Sequence, residues 1–109
     1  MKFTLAQINP RIGDTAYNQA LILNAIEDAS ALGSTAIVFP ELATIGYPPR
    51  DLMDYSETVD SNLLALEAIR AASRGILVVV GFAERNPSEF GKPFFNSAAV
   101  FYDGVEITR

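Results

Sequence analysis

Three short apolar runs, residues 3–8, 36–39 and 76–82, constrain this chain more than anything else in it. Each is strand-sized, and the third, with Val78, Val79, Val80 and Phe82, has the β-branched and aromatic side chains that suit a pleated surface. Two longer stretches between them repeat their apolar residues with helical spacing. Strand, helix, strand, helix, strand is the pattern of parallel strands joined by crossover helices. The first run has Phe3 and Leu5 on one face and Ala6 and Ile8 on the other, which predicts a strand covered on both sides. The fold class is α/β.

The local signals place the boundaries. Asn9-Pro10 and Gly13-Asp14 break the first strand, and Asp14 or Thr15 offers a side-chain oxygen to cap a helix over 17–32. Its stripe is Leu21, Ile22, Ala25, Ile26, Ala29 and Leu32, and Gly33 ends it. Residues 40–54 read as irregular loop, because Pro40, Gly46, Pro48 and Pro49 oppose regular structure. A second helix is predicted over 56–73, with Val59, Leu63, Leu66, Ile69 and Ala72 inward and Gly75 closing it. A polar loop over 84–93 precedes strands at 96–102 and 105–108, joined through Asp103-Gly104, a strong hairpin signal. The sequence stops at Arg109 directly after a strand, so the expectation is one incomplete domain over 1–109.

Composition narrows the function. A length of 109 residues allows at most one domain, and a hydrophobic fraction of 50% supplies a core. The net charge is −5 and the eight basic residues are scattered, which argues against a nucleic-acid surface. No apolar run reaches membrane-spanning length, and the start lacks a signal-peptide pattern. No membrane partner is expected, and a cytoplasmic location is the default. The absence of histidine and cysteine excludes, within this chain, imidazole catalysis, thiolate nucleophiles, disulfides and His- or Cys-ligated metal.

Glu41 is the candidate catalytic residue. It follows the apolar run Ile37-Val38-Phe39 at the start of a proline-stiffened loop, where strand ends place functional groups. Apolar neighbours predict partial desolvation, which raises a carboxylate toward the range of a general base. Tyr47, between Gly46 and Pro48, is the candidate substrate-binding residue: either a pocket wall, a phenol bonded to the glutamate, or simply an aromatic packed over the loop. Asp51, Asp54 and Glu57 lack the oxygen pattern of a calcium loop and read as solvated acids, so no metal site is expected. Arg70 and Arg74 read as an exposed helix face beside Glu67, and Asn96-Ser97 as backbone bonding at a strand end.

Phe39-Pro40-Glu41 followed by Gly46-Tyr47-Pro48-Pro49-x-Asp51-Leu52 resembles the first catalytic block of the nitrilase (carbon–nitrogen hydrolase) superfamily. The second part is most like the N-terminal glutamine-hydrolysing domains of the glutamine-dependent NAD synthetases. The opening Ala6-Gln7-Ile8-Asn9-Pro10, Val79-Val80-Gly81-Phe82 and Asn96-Ser97-Ala98-Ala99-Val100 extend the likeness along the chain. The resemblance implies an α-β-β-α sandwich, of which these residues supply roughly the first half, and therefore association through the uncovered half. It implies a Glu-Lys-Cys mechanism in which Glu41 is the base. Lys2 and Lys92 do not lie in the family's lysine motif, and the cysteine is absent, so the chain alone is expected to be inactive. For the whole protein it implies glutamine as substrate, with ATP and Mg2+ used by a separate synthetase domain. Another amidase of the superfamily, or a non-catalytic association domain, are the competing expectations.

Overall fold

The three apolar runs become the parallel half of a single sheet. The computed structural model describes residues 1–109, in the order β1 (Phe3–Leu5), α1 (Thr15–Ala31), β2 (Ala36–Val38), α2 (Ser56–Ala72), β3 (Leu77–Arg85), β4 (Phe94–Tyr102) and β5 (Val105–Thr108). The five strands lie in the order β1-β2-β3-β4-β5. β1, β2 and β3 are parallel, while β4 and β5 return antiparallel.

Both crossovers step the same way along the sheet, so right-handed connection puts α1 and α2 on the same face. There they form one core: Ile22, Ile26 and Ala29 from α1, Leu66 and Ile69 from α2, over Ile37, Phe39, Val78, Val80, Phe82, Ala99 and Phe101. The opposite face is open. Phe3 is 66% exposed and Leu5 74%, and Val38, Tyr102, Val105 and Ile107 are exposed beside them. The expectation that β1 is covered on both sides is therefore corrected, because both helices lie on one side and nothing in the chain covers the other.

Most boundaries follow the local signals. Asp14 caps α1, its side chain accepting from Tyr17 N at 3.1 Å. Gly33 takes φ 78 after the helix. Leu32, predicted as the last rung of the stripe, is instead the C-cap residue and 65% exposed. The loop over 40–54 contains a 3-10 turn at Arg50–Asp54. β3 runs on through Glu84 and Arg85, predicted as loop, and β4 begins at Phe94, two residues before the predicted strand. Their ladder continues past the apolar stretch because Glu84 is satisfied by Ser97 Oγ at 2.9 Å and by Arg109 Nη1 at 2.7 Å. Arg109, hydrogen-bonded to Glu106 and Glu84, is held above its ordinary pKa and ties β5 to the same cluster.

Asp103 (φ 54) and Gly104 (φ 79) are both left-handed, as a two-residue hairpin turn requires. The turn docks on the end of α2: Gly104 N donates to Ser73 Oγ at 3.0 Å, and Arg70 Nη1 and Arg74 Nη1 donate to Gly104 O and Asp103 O at 2.5 and 3.2 Å. Arg70 also pairs with Glu67, as the sequence predicts, but the two arginines are more than an exposed face.

Because Ile69 is fully buried and Leu64 on the same helix is exposed, the two truncations separate cleanly. Ile69→Ala is expected to cost about 2–5 kcal/mol in denaturant unfolding, and Leu64→Ala no more than about 0.5 kcal/mol.

Candidate active site

Glu41 owes its position to the way β2 ends. Phe39 N still donates to Val79 O at 2.9 Å, but Pro40 has no N–H and stops the ladder. The chain then bends across β3 at Gly81. A Cβ on Gly81 would lie 2.6 Å from Leu42 N and 2.7 Å from Pro40 O, so only glycine allows the crossing. Leu42 turns the backbone with φ 49, a left-handed conformation unfavourable for a side-chain-bearing residue. Glu41 thus stands at the carboxyl end of a parallel strand, where α/β sheets place their sites.

Its side chain reaches over the open face of the sheet to β4, where Asn96 Nδ2 donates to Glu41 Oε1. Asn96 pairs in register with Ala83. Phe39, Pro40, Glu41, Val79, Gly81, Asn96, Ser97 and Ala98 line a recess of about 260 Å³. Asn96 holds one carboxylate oxygen, Oε1, at the edge of the recess that Glu41 lines. The predicted desolvation is not supplied by these residues: Glu41 is exposed, because the recess opens on the uncovered face of the sheet.

Tyr47 is placed elsewhere. Gly46, at φ 91, packs on Ile12, where an added Cβ would meet Ile12 Cα at 2.7 Å, and Gly13 N donates to Ile45 O at 2.8 Å. The loop is drawn toward the β1–α1 connection there, leaving Tyr47 64% exposed, before a cis Pro48. It neither lines the Glu41 recess nor hydrogen-bonds the carboxylate. Lys2 donates to Leu32 O at 2.7 Å, and neither lysine lines the recess. Asp51, Asp54 and Glu57 are exposed, and no group of three or more acidic side chains converges to hold a metal ion.

Asn96 is the site residue that reading the sequence missed. The sequence reads Asn96-Ser97 as backbone bonding at a strand end; the partner of the Asn96 side chain emerges only when β4 pairs with β3.

Residues 2–109 match the family described as carbon-nitrogen hydrolase. The chain belongs to that family. A glutamine-dependent NAD(+) synthetase of Xylella fastidiosa (strain Temecula1) is 37% identical to this chain over 99% of its length, and the match spans 19% of the relative. The structure of glutamine-dependent NAD+ synthetase from Acinetobacter baumannii superimposes with a TM-score of 0.83 at 31% identity, over 97% of this chain and 19% of that one. An amidase from Nesterenkonia sp. superimposes with a TM-score of 0.81 at 27% identity, over 99% of this chain and 41% of that one. The chain thus spans about a fifth of the synthetases and two fifths of the amidase.

Gly81→Ala forces a Cβ against the backbone that carries Glu41. The expected cost is about 1–3 kcal/mol, as for overpacking elsewhere. A denaturation midpoint equal to that of the unsubstituted protein would show that the crossing is looser than the structure has it.

Proposed function

We propose that this chain is the first part of the glutamine-hydrolysing domain of a glutamine-dependent NAD synthetase, with Glu41 as general base. The observation that carries the reading is Glu41 itself, seated on Gly81 at the end of β2, with one oxygen held by Asn96 beside a recess that the glutamate lines. The likeness to the synthetases, and the Gly46-Tyr47-Pro48-Pro49-x-Asp51-Leu52 segment, favour glutamine as the amide. In this reading Glu41 takes the proton of a cysteine thiol, and the thiolate attacks the carboxamide carbon. A lysine stabilises the oxyanion, ammonia leaves with the proton that Glu41 returns, and water cleaves the thioester.

The chain contains no cysteine, so the nucleophile comes from residues beyond these, and the 109 residues alone are inactive. In this reading ammonia then feeds the amidation of deamido-NAD in a separate synthetase domain, which uses ATP and Mg2+. No helix is long and apolar enough to cross a membrane, and the reading places the protein in the cytoplasm. The exposed apolar face of the sheet supports self-association of the 109 residues when nothing else covers it.

A second reading has its own support: the Nesterenkonia amidase, with an active-site cysteine, shares the fold over nearly the whole chain. Amide hydrolysis by the full-length protein without conversion of deamido-NAD to NAD would select it.

In the full-length protein, Glu41→Gln is expected to lower ammonia release from glutamine by about 10²–10⁴-fold; turnover at the original rate would remove Glu41 from the chemistry. The 109 residues alone are expected to elute as oligomers in sizing chromatography and to release no ammonia. A sharp monomeric peak would contradict the first expectation, and measurable turnover the second.

A further inference from the structure

Two asparagine side chains are completely buried between the helices and the sheet, and both are directed at one residue of the loop that carries Glu41. Asn18 of α1 accepts from Arg11 N at 2.7 Å, and its amide donates to Arg11 O at 2.8 Å and to Thr44 O at 3.2 Å. Asn62 of α2 accepts at Oδ1 from Thr44 Oγ1 at 2.5 Å and from Ala83 N at 3.0 Å. Its amide donates to Val59 O at 3.0 Å and to Ala83 O at 2.7 Å. Thr44 is itself fully buried, and no buried polar side-chain atom lacks a partner.

Such a network is a poor source of stability, since apolar side chains of the same volume would avoid its desolvation cost. What a fully satisfied network contributes is a single arrangement of the groups it joins. Here the joined group is Thr44, gripped by its carbonyl from α1 and by its hydroxyl from α2. Between Thr44 and the end of β2 the chain passes through the left-handed Leu42, a conformation that persists only where its surroundings impose it. Loosening Thr44 frees that turn, and with it the backbone of Glu41.

We propose that Asn18, Thr44 and Asn62 are positioning residues for Glu41, a buried clamp that holds the loop in its strained path so that the carboxylate stays over Gly81 and against Asn96. The clamp rests on the reading of Glu41 as the base. It acts on placement alone, so its loss lowers kcat while leaving KM unchanged.

The test uses the full-length protein and ammonia release from glutamine. Thr44→Val keeps the side-chain shape and leaves Asn62 Oδ1 bonded to Ala83 N, so the variant is expected to fold. The expected result is a fall in kcat on the order of tenfold or more with KM unchanged, and recovery in Thr44→Ser, which restores the hydroxyl. Glu41→Gln, measured alongside, separates the two ideas. An active Glu41→Gln removes the base reading, and the clamp with it. An inactive Glu41→Gln with Thr44→Val at full kcat overturns the clamp alone. Should Thr44→Val not accumulate as folded protein, Thr44→Ala removes the same hydroxyl without setting a methyl group against Asn62 Oδ1. The same kcat-only loss there supports the clamp, and full kcat overturns it. Hydrogen exchange adds a readout independent of turnover: Ile45 and Gly46, whose amides donate to Leu42 O, should exchange faster in either variant while β3 stays protected. Unchanged exchange at both amides overturns the proposal.

Discussion

The crossing of residues 40–42 over Gly81 is the contact on which the rest of the site depends. It converts an ordinary strand end into a shelf, because the missing Cβ lets backbone lie on backbone at a separation no other residue permits. Pro40 ends the ladder, Leu42 turns the chain, and Glu41 between them is delivered to the open side of the sheet. The helical core beneath is conventional in composition. Its role is to make β2 and β3 rigid enough that a shelf built on them holds a carboxylate opposite Asn96.

The molecule is two-sided in a way its composition does not reveal. One face of the sheet is sealed by α1 and α2, while the other presents Phe3, Leu5, Val38, Tyr102, Val105 and Ile107. Contiguous apolar surface on one face of a sheet is the kind that a second layer or another chain covers in stable folds. Glu41 lies on the same side, so its surroundings are decided by whatever covers this face. The exposure of Glu41 and the apolarity of the open sheet have one cause.

Much of the fold was legible from local rules, because those rules act over a few residues. The Asp14 cap, Gly33 at the helix end and the Asp103-Gly104 turn each depend on dihedral preferences of the residues themselves. The stripes of both helices followed from spacing, apart from Leu32, the exposed C-cap residue of α1. The placement of Glu41 at a strand end was legible for a different reason, since it directly follows an apolar run and a ladder-ending proline. Tyr47 was less so: its neighbours Gly46 and Pro48 mark a rigid loop without saying which way it points.

The order of residues determined strand and helix, the turn chemistry and the family, because hydrophobic period and backbone preference are written residue by residue. Pairings between distant residues were decided by three-dimensional packing. Asn96 meets Glu41 only through the β3–β4 register, and Asn18 and Asn62 meet at Thr44 only once both helices lie on one face of the sheet. The same packing left β1 bare on one side although its sequence suits burial on both. A strand encodes which residues share a face; what covers that face depends on how many layers the rest of the chain supplies.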